Sequence, residues 1–218
     1  GSTGSGKTSL IYLIPRFYKV DSGSILIDGI ELDRFKMASL RRQIGIVMQD
    51  VFIFSGTIAE NIAFGAPNAT RDDIVRAANL ARIQDFIESL PHGYDTIVGE
   101  RGINLSGGQR QRITIARALA MKPKILILDD SLSFVDAKTE NEIQAAIDEA
   151  MKGRTSFIIA QRLSTIKNAD RIMVLDDGKI VEFGTHHQLM SNEGIYKRIY
   201  ETQFLEKAPE AVQEIKRR

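Results

Sequence analysis

The stretch 125–136, ILILDDSLSFVD, constrains the fold of this chain more than any other. Its four leading apolar residues, two of them β-branched, predict a strand that is buried on both faces. Asp129 and Asp130 follow them, so two carboxylates stand at the edge where open α/β sheets bind ligands. Paired acids there suit a hydrated metal ion and a polarised water. The alternative interpretation is a buried strand that ends in a solvated Asp-Asp turn.

Composition sets wide bounds. The chain has 218 residues, of which 43% are apolar and 26% charged, enough for one domain or a domain with a sizeable subdomain. Lys and Arg total 29 against 28 Asp and Glu, so charge favours no class of partner. With no cysteine, disulfides and thiolate metal sites are excluded. No apolar run approaches the roughly 18 to 20 residues that span a bilayer, so a membrane connection would come through another polypeptide or through sequence missing from this one.

Residues 1–8, GSTGSGKT, match the pattern G-x-x-x-x-G-K-[ST] in full. The glycines let backbone N–H groups turn toward phosphate oxygens, Lys7 can neutralise the β and γ phosphates, and the Thr8 hydroxyl can ligate magnesium. A helix predicted over 7–18 points its N-terminus at the same anion. The pattern ordinarily follows a strand, so we expect a fragment that lacks its upstream strand. A flexible Gly/Ser start is the alternative.

Two further stretches before residue 60 predict strands. Residues 24–27 and 30–32 flank Asp28-Gly29, which is typical of a short hairpin. The apolar run 44–48 ends in Gln49, an amide that could coordinate magnesium or position a water at the end of a strand. An ordinary surface amide in a loop is the alternative for Gln49.

From residue 57 to about 90 the pattern becomes helical, with Ile74, Ala77, Ala78 and Ala81 at i, i+3, i+4 and i+7. This periodicity predicts an inserted helical subdomain, which we place at about 57–121. The three histidines, His92, His186 and His187, are predicted to be solvent-facing loop residues because no other ligand lies near them in the sequence.

The sequence LSGGQ at 105–109 begins a predicted helix that runs to about residue 121. Ser106 and Gln109 fit the S-x-x-Q capping box, which alone would explain them. Gly107 and Gly108 make a poor helix start, however, since each glycine costs up to about 1 kcal/mol relative to alanine. They are reasonable if a ligand approaches the backbone, and a helix N-terminus that carries a serine is a phosphate site. Because Lys7 already serves the chain's own nucleotide, Ser106 is predicted to serve that of another subunit.

The C-terminal part is predicted to alternate helix and strand, with Asp136 as an N-cap. Ile143, Ile147 and Met151 are predicted to face inward. The predicted elements are a helix over 137–152, a buried strand over 155–160 that leads into Gln161, a hairpin of 171–175 with 179–183 around Asp177-Gly178, an amphipathic helix over 195–206 and a charged tail over 207–218.

In order and spacing these motifs resemble the nucleotide-binding domain of ATP-binding cassette (ABC) transporters, from residue 1 to about 204. By position, 1–8 resembles Walker A, Gln49 the Q-loop and 105–109 the signature, while 125–130 resembles Walker B and 133–136 the D-loop. GTIAENI at 56–62 and TIVGERG at 96–102 are similar to the exporter branch, the latter to the X-loop that contacts transmembrane coupling helices.

The resemblance implies an α/β fold: a P-loop NTPase with a mostly parallel central sheet flanked by helices, an inserted α-helical subdomain and a small β-hairpin region. One domain over 1–206 would bind ATP and Mg²⁺ on the cytoplasmic face of the cell membrane, beside a transmembrane domain fused upstream or carried by another chain. Two cassettes would pair head to tail around two ATP molecules, and no nucleic acid is expected. The metal ligands would be Thr8, Gln49 and Asp129. The residues expected to contact nucleotide are Gly1, Ser2, Thr3, Gly4, Ser5, Gly6, Lys7, Thr8, Ser9, Gln49, Ser106, Gly107, Gly108, Gln109 and Asp136.

The chain departs from the catalytic pattern of the family at two positions. Asp130 stands where the resemblance implies a glutamate that polarises the attacking water, and Gln161 stands where it implies a histidine that contacts the γ-phosphate. With Gln49, these residues form the candidate catalytic set. We hypothesise a heterodimeric exporter in which this chain's own site is degenerate while its LSGGQ completes the partner's site. The alternatives are a slow homodimer, a soluble ABC-type ATPase that acts on nucleic acid, and a regulatory ATP sensor without hydrolysis.

Overall fold

The structure, a computed structural model, describes residues 1–99, 105–129, 137–160 and 166–207, of which 137–140 and 204–207 are described by their backbone alone. The chain forms two compact units: Gly1–Leu10 with Ala160–Arg218, and Ile11–Ile159. The described helices are α1 (Lys7–Tyr12), α2 (Met37–Arg42), α3 (Ile58–Ala63), α4 (Arg71–Leu80), α5 (Gln84–Glu88), α6 (Gly107–Ala120), α7 (Ala137–Met151), α8 (His186–Ser191) and α9 (Ile195–Lys207). None of these helices is long and apolar enough to cross a membrane.

The strands form one parallel sheet and three short antiparallel pairs. The parallel sheet has the order β3-β6-β7, and β1 pairs with β2, β4 with β5 and β8 with β9. Their bounds are β1 (Leu26–Ile27), β2 (Ile30–Glu31), β3 (Ile44–Val47), β4 (Gly56–Thr57), β5 (Ile97–Val98), β6 (Ile125–Asp129), β7 (Thr155–Ile159), β8 (Ile172–Asp176) and β9 (Lys179–Gly184).

Strand β6 is central in the parallel sheet, as its apolar run predicts. Leu126, Ile127 and Leu128 are fully buried, which confirms the prediction of a strand covered on both faces. The prediction of a buried strand over 155–160 was wrong in part, because only Ile159 is buried in β7. Among the described strands only β6 pairs with β7, so β7 lies at the edge of this sheet.

The largest core lies among α3, α4, α6, α7 and the sheet. Ile74, Ala77, Ala78 and Ala81 are all buried there, which confirms the helical periodicity of this region. Helix α6 lies directly on β3, because a Cβ added at Gly45 would stand 3.0 Å from the Ala118 carbonyl oxygen. Only a glycine at this point of β3 allows such a close approach.

In the smaller unit, β8 and β9 form the predicted hairpin. Asp177 and Gly178 have φ of 44° and 71°, the left-handed pair that a two-residue hairpin turn requires. The predicted last helix is confirmed as α9. Val174 of β8 packs with Leu189 and Tyr196 in the core of this unit.

Several predicted elements were wrong or missing. The helix predicted over 7–18 ends at Tyr12, since Pro15 disfavours helical backbone in the residue before it and Arg16 adopts a left-handed φ of 56°. Helices α2 and α8 and the β4–β5 pair were not predicted. His186 is no loop residue: it begins α8, and its Nδ1 lies 2.8 Å from the Tyr196 hydroxyl. His187 is also helical, whereas His92 is exposed in a turn as predicted.

Candidate functional site

The loop that matches Walker A owes its shape to glycine. Gly4 and Gly6 have φ of 82° and 93°, which residues with a Cβ rarely adopt. A Cβ on Gly1 would overlap the carbonyl oxygen of Leu175. Ser5 is 3% exposed, and its carbonyl oxygen accepts a hydrogen bond from Gly178 N at 3.2 Å, which fastens the loop to the turn of the β8–β9 hairpin. Successive amides in such a loop form an anion-binding concavity.

Lys7 folds back over this loop. Its Nζ donates to the carbonyl oxygens of Gly1 at 2.9 Å and Ser2 at 2.6 Å, and it lies 3.4 Å from Ser5 Oγ. The ammonium therefore stands over the loop, where phosphate oxygens could replace these carbonyls as acceptors. The loop residues Ser2, Thr3 and Gly4 are exposed, as are Thr8 and Ser9 in the first turn of α1.

In the larger unit, Gln49 and Asp129 lie at the same edge of the parallel sheet. Val47 pairs with Leu128 across β3 and β6, so Asp129 ends one strand while Gln49 follows the other by two residues. Asp129 is 3% exposed, whereas Gln49 is exposed. A buried carboxylate beside an accessible amide at the carboxyl ends of parallel strands is a set of oxygen donors that suits Mg²⁺.

A tyrosine that the sequence reasoning missed contacts this carboxylate. The Tyr12 hydroxyl, at the end of α1, is hydrogen-bonded to Asp129. Burial, followed by the charge of Asp129, raises the pKa of Tyr12, which therefore keeps its proton near neutral pH. No local pattern marks Tyr12, because the contact joins residues more than a hundred positions apart.

The helix that begins with the signature has its predicted cap. Ser106 Oγ accepts from Gln109 N at 3.2 Å, and Gln109 Oε1 accepts from Ser106 N at 2.8 Å. The capping box is therefore present, while Ser106 and Gly107 are exposed. A Cβ built on Gly107 meets no atom within 4 Å, so the fold of the described chain does not require glycine there. The open space over this glycine favours the second role predicted for the sequence, close approach by a ligand.

Three predicted site residues, Asp130, Asp136 and Gln161, lie outside the described residues. The other predicted site residues are divided between the two units. Residues 1–9 belong to the smaller unit, and Gln49, Asp129 and 106–109 belong to the larger one. Within the larger unit, the structure brings Gln49 and Asp129 to one sheet edge.

Fold and site together define the class: an α/β P-loop nucleotide-binding domain with an inserted helical subdomain. The family model described as ABC transporter matches residues 1–133. The chain is 51% identical over 205 residues to "Putative multidrug export ATP-binding/permease protein YgaD" and 50% identical over 204 residues to "Uncharacterized ABC transporter ATP-binding protein YknU", both of Bacillus subtilis. Each match covers 94% of this chain and 35% of the relative.

A solved structure of a bacterial Atm1-family ABC exporter with ATP bound is similar with a TM-score of 0.88 and 44% identity, over 96% of this chain and 36% of that chain. The chain belongs to the ABC transporter family, as an exporter-type nucleotide-binding domain, the ATPase module of that family. It spans about a third of the length of the curated relatives that it matches.

Proposed function

We propose that this chain binds Mg²⁺-ATP through residues 1–9 and, as part of a larger exporter, couples ATP binding and hydrolysis to transmembrane export. The observation that carries the proposal is the loop built around left-handed Gly4 and Gly6, with the Lys7 ammonium lying over it. The amides of the loop and this ammonium supply the donors and the positive charge that a triphosphate needs.

Thr8, Gln49 and Asp129 are the residues that would hold Mg²⁺. These residues fit the ion chemically, since hydroxyl, amide and carboxylate oxygens are the hard ligands that Mg²⁺ prefers. Asp129, at the end of β6, is only 3% exposed. When bound, the ion supplies positive charge to the phosphates. Gln49 is exposed at its strand end, where its amide can orient a water or follow the occupancy of the site.

Ser106, Gly107, Gly108 and Gln109 would complete the site of a second cassette. Two features support this role: Ser106 is exposed at the N-terminus of the 14-residue helix α6, and nothing covers Gly107 among the described residues. An anion at this end gains from the helix dipole and from unpaired amides. The D-loop residue Asp136 would lie near the same interface by its resemblance to the family.

The membrane part of the proposal rests on the relatives. The relative YgaD is named a putative multidrug export ATP-binding/permease protein, and the similar solved structure is that of an exporter. We infer that a transmembrane domain, fused to this domain or carried by another chain, partners it at the cytoplasmic face of the cell membrane.

The chain's own site is proposed to hold ATP with little turnover. Asp130 carries its carboxylate one methylene, on the order of 1.5 Å, further back than a glutamate would, and a misplacement of about 1 Å can cost roughly 100-fold in rate. Gln161 can donate a hydrogen bond, but it cannot take up a proton or carry charge. The binding residues Lys7, Thr8, Gln49 and Asp129 are all present, so binding is retained where hydrolysis is weak. The partner of such a site is a different cassette with an intact catalytic pair.

The experiment restores both positions, Asp130→Glu with Gln161→His, in the assembled full-length complex while the partner's catalytic site is silenced. We expect turnover at this site to rise by about tenfold or more, since the general base is moved back into reach. The control is the same double variant carrying Lys7→Ala, in which the gain disappears. Little gain in turnover counts against the degenerate site, and a native mass that shows two identical chains counts against the heterodimer.

A further inference from the structure

The segment 48–55, which contains Gln49, is held by side chains instead of by regular backbone pairing. It belongs to no helix or strand, yet Ile53 within it is fully buried. Buried backbone groups need hydrogen-bond partners. On either side of Ile53, the backbone groups of Phe52 and Phe54 are paired by two side chains, Asn61 of α3 and Arg117 of α6.

The Asn61 side chain pairs with the backbone of this segment as a neighbouring strand would. It is 1% exposed; its Oδ1 accepts from Phe54 N at 2.8 Å, and its Nδ2 donates to the carbonyl oxygen of Phe54 at 2.9 Å and to that of Thr57 at 3.0 Å. Both backbone groups of Phe54 are thus paired with a single amide. A buried asparagine that makes three such bonds leaves this part of the segment one conformation relative to α3.

Arg117 joins the same network from helix α6. Its Nη1 donates to the Phe52 carbonyl oxygen at 2.9 Å, its Nε to the Asn61 carbonyl oxygen at 2.7 Å and its Nη2 to Asn61 Oδ1 at 2.9 Å. The guanidinium also lies 5.0 Å from the ring centroid of Phe54 and 5.9 Å from that of Phe64. Burial lowers the pKa of Arg117 to about 10, so the group keeps its charge near neutral pH. Only the planar fork of arginine can serve these three acceptors together.

The network of Asn61 and Arg117 is linked both to Ser106, at the start of α6, and to β3, the strand that leads to Gln49. Ser106 precedes the first residue of α6, and Arg117 lies eleven positions further on, about 16 Å along the axis at 1.5 Å per residue. At the other side, the close contact between Gly45 and Ala118 presses β3, the strand that leads to Gln49, against the same helix. Strand, segment and helix therefore have little freedom to move separately.

We propose that Asn61 and Arg117 form a clasp that joins the segment 48–55, in which Gln49 lies, to the signature helix and so fixes the position of Ser106 relative to Gln49. Both are positioning residues, and neither needs to touch nucleotide. This inference rests on the proposed function, because a displaced Ser106 lowers turnover only if Ser106 serves the partner's nucleotide.

The test uses the assembled full-length transporter with Arg117→Lys, which keeps the charge and loses the fork. We expect kcat to fall by about tenfold, a partial form of the loss that misplacement causes, while the Kd for ATP at residues 1–9 stays within about twofold. Asn61→Asp is the second variant: it keeps the acceptor and removes both Nδ2 donations, and it should produce the same split. The matched control is Arg154→Lys, because Arg154 also donates to three carbonyl oxygens, those of Pro123 at 3.1 Å, Ala150 at 2.6 Å and Lys152 at 3.2 Å, without reaching the segment.

A double-mutant cycle gives the readout that a merely structural role would not move. If the clasp acts through the segment 48–55, in which Gln49 lies, Gln49→Ala with Arg117→Lys lowers kcat no further than Gln49→Ala alone. Losses that multiply, or a kcat for Arg117→Lys within about twofold of the Arg154→Lys control, overturn the proposal. Failure of the underlying function is distinguishable, because it shows as ATP binding that does not depend on Lys7.

Discussion

Replacement of Gly107 by alanine separates the stability of the signature helix from its function. Gly107 is the first residue of α6, and a Cβ there meets no atom within 4 Å. Alanine removes conformational freedom from the unfolded chain at a position whose backbone it can adopt, which is worth roughly 0.4 to 1 kcal/mol. For a chain of this length, that gain raises Tm by about 1 to 4 °C.

The same methyl group occupies the space through which a partner's nucleotide would approach the amides of α6. We therefore expect Gly107→Ala to raise Tm and to lower ATP turnover of the assembled complex by about tenfold or more, since the loss of one well-placed donor set can cost 100-fold. Thermal or urea unfolding of this chain and steady-state turnover of the complex are the two measurements.

Gly45→Ala is the matched control, because its Cβ would stand 2.9 Å from Pro123 Cγ and 3.0 Å from the Ala118 carbonyl oxygen. Overpacking of this kind lowers the free energy of unfolding by about 1 to 3 kcal/mol. The two glycine replacements are therefore expected to change the free energy of unfolding in opposite directions. A Gly107→Ala variant that is less stable than the wild type, or one that is more stable with unchanged turnover, would contradict this prediction.

Two further predictions concern single charged groups. Lys7→Ala should weaken ATP binding by at least about tenfold in calorimetry, with little change in urea unfolding, because its acceptors are exposed carbonyl oxygens and its charge serves the phosphates; binding within twofold of wild type would contradict this. The hydrogen bond from Lys122, followed by the Thr70 backbone amide, lowers the pKa of Asp73 from 3.8 to about 2. Because the pKa of Asp73 is lower in the folded chain than in the unfolded one, its contribution to stability is complete above pH 3.8 and is lost as pH falls through about 2. The Tm difference between wild type and Asp73→Asn should therefore be constant from pH 7 to about pH 4 and shrink below it. A difference that grows on acidification would contradict this.

Much of the site could be predicted because it depends on local chemistry. The apolar run of β6 requires burial, Asp177-Gly178 requires a tight hairpin, and the serine and glutamine of the signature cap their own helix. Each of these signals acts within a few residues, so the sequence pattern contains it directly.

The contacts that were missed are long-range. Asn61 appears in the sequence as a polar residue of a short amphipathic helix, which favours a surface position. Its burial is explained by the hydrogen bonds that it makes with Phe54 and Arg117. Likewise, the contact between Tyr12 and Asp129 exists only once α1 and the sheet are packed. The short helices α2 and α8 were missed because fewer than two turns carry too little periodicity.

The central claim is that Ser106 serves a nucleotide held by another cassette. An experimental structure of the full-length assembly with ATP and with hydrolysis blocked tests it most directly. We expect Ser106 Oγ and the first amides of α6 within hydrogen-bonding distance of the γ-phosphate that lies on the partner's Walker A loop. A signature helix whose N-terminus faces bulk solvent while nucleotide occupies both cassettes would contradict the claim.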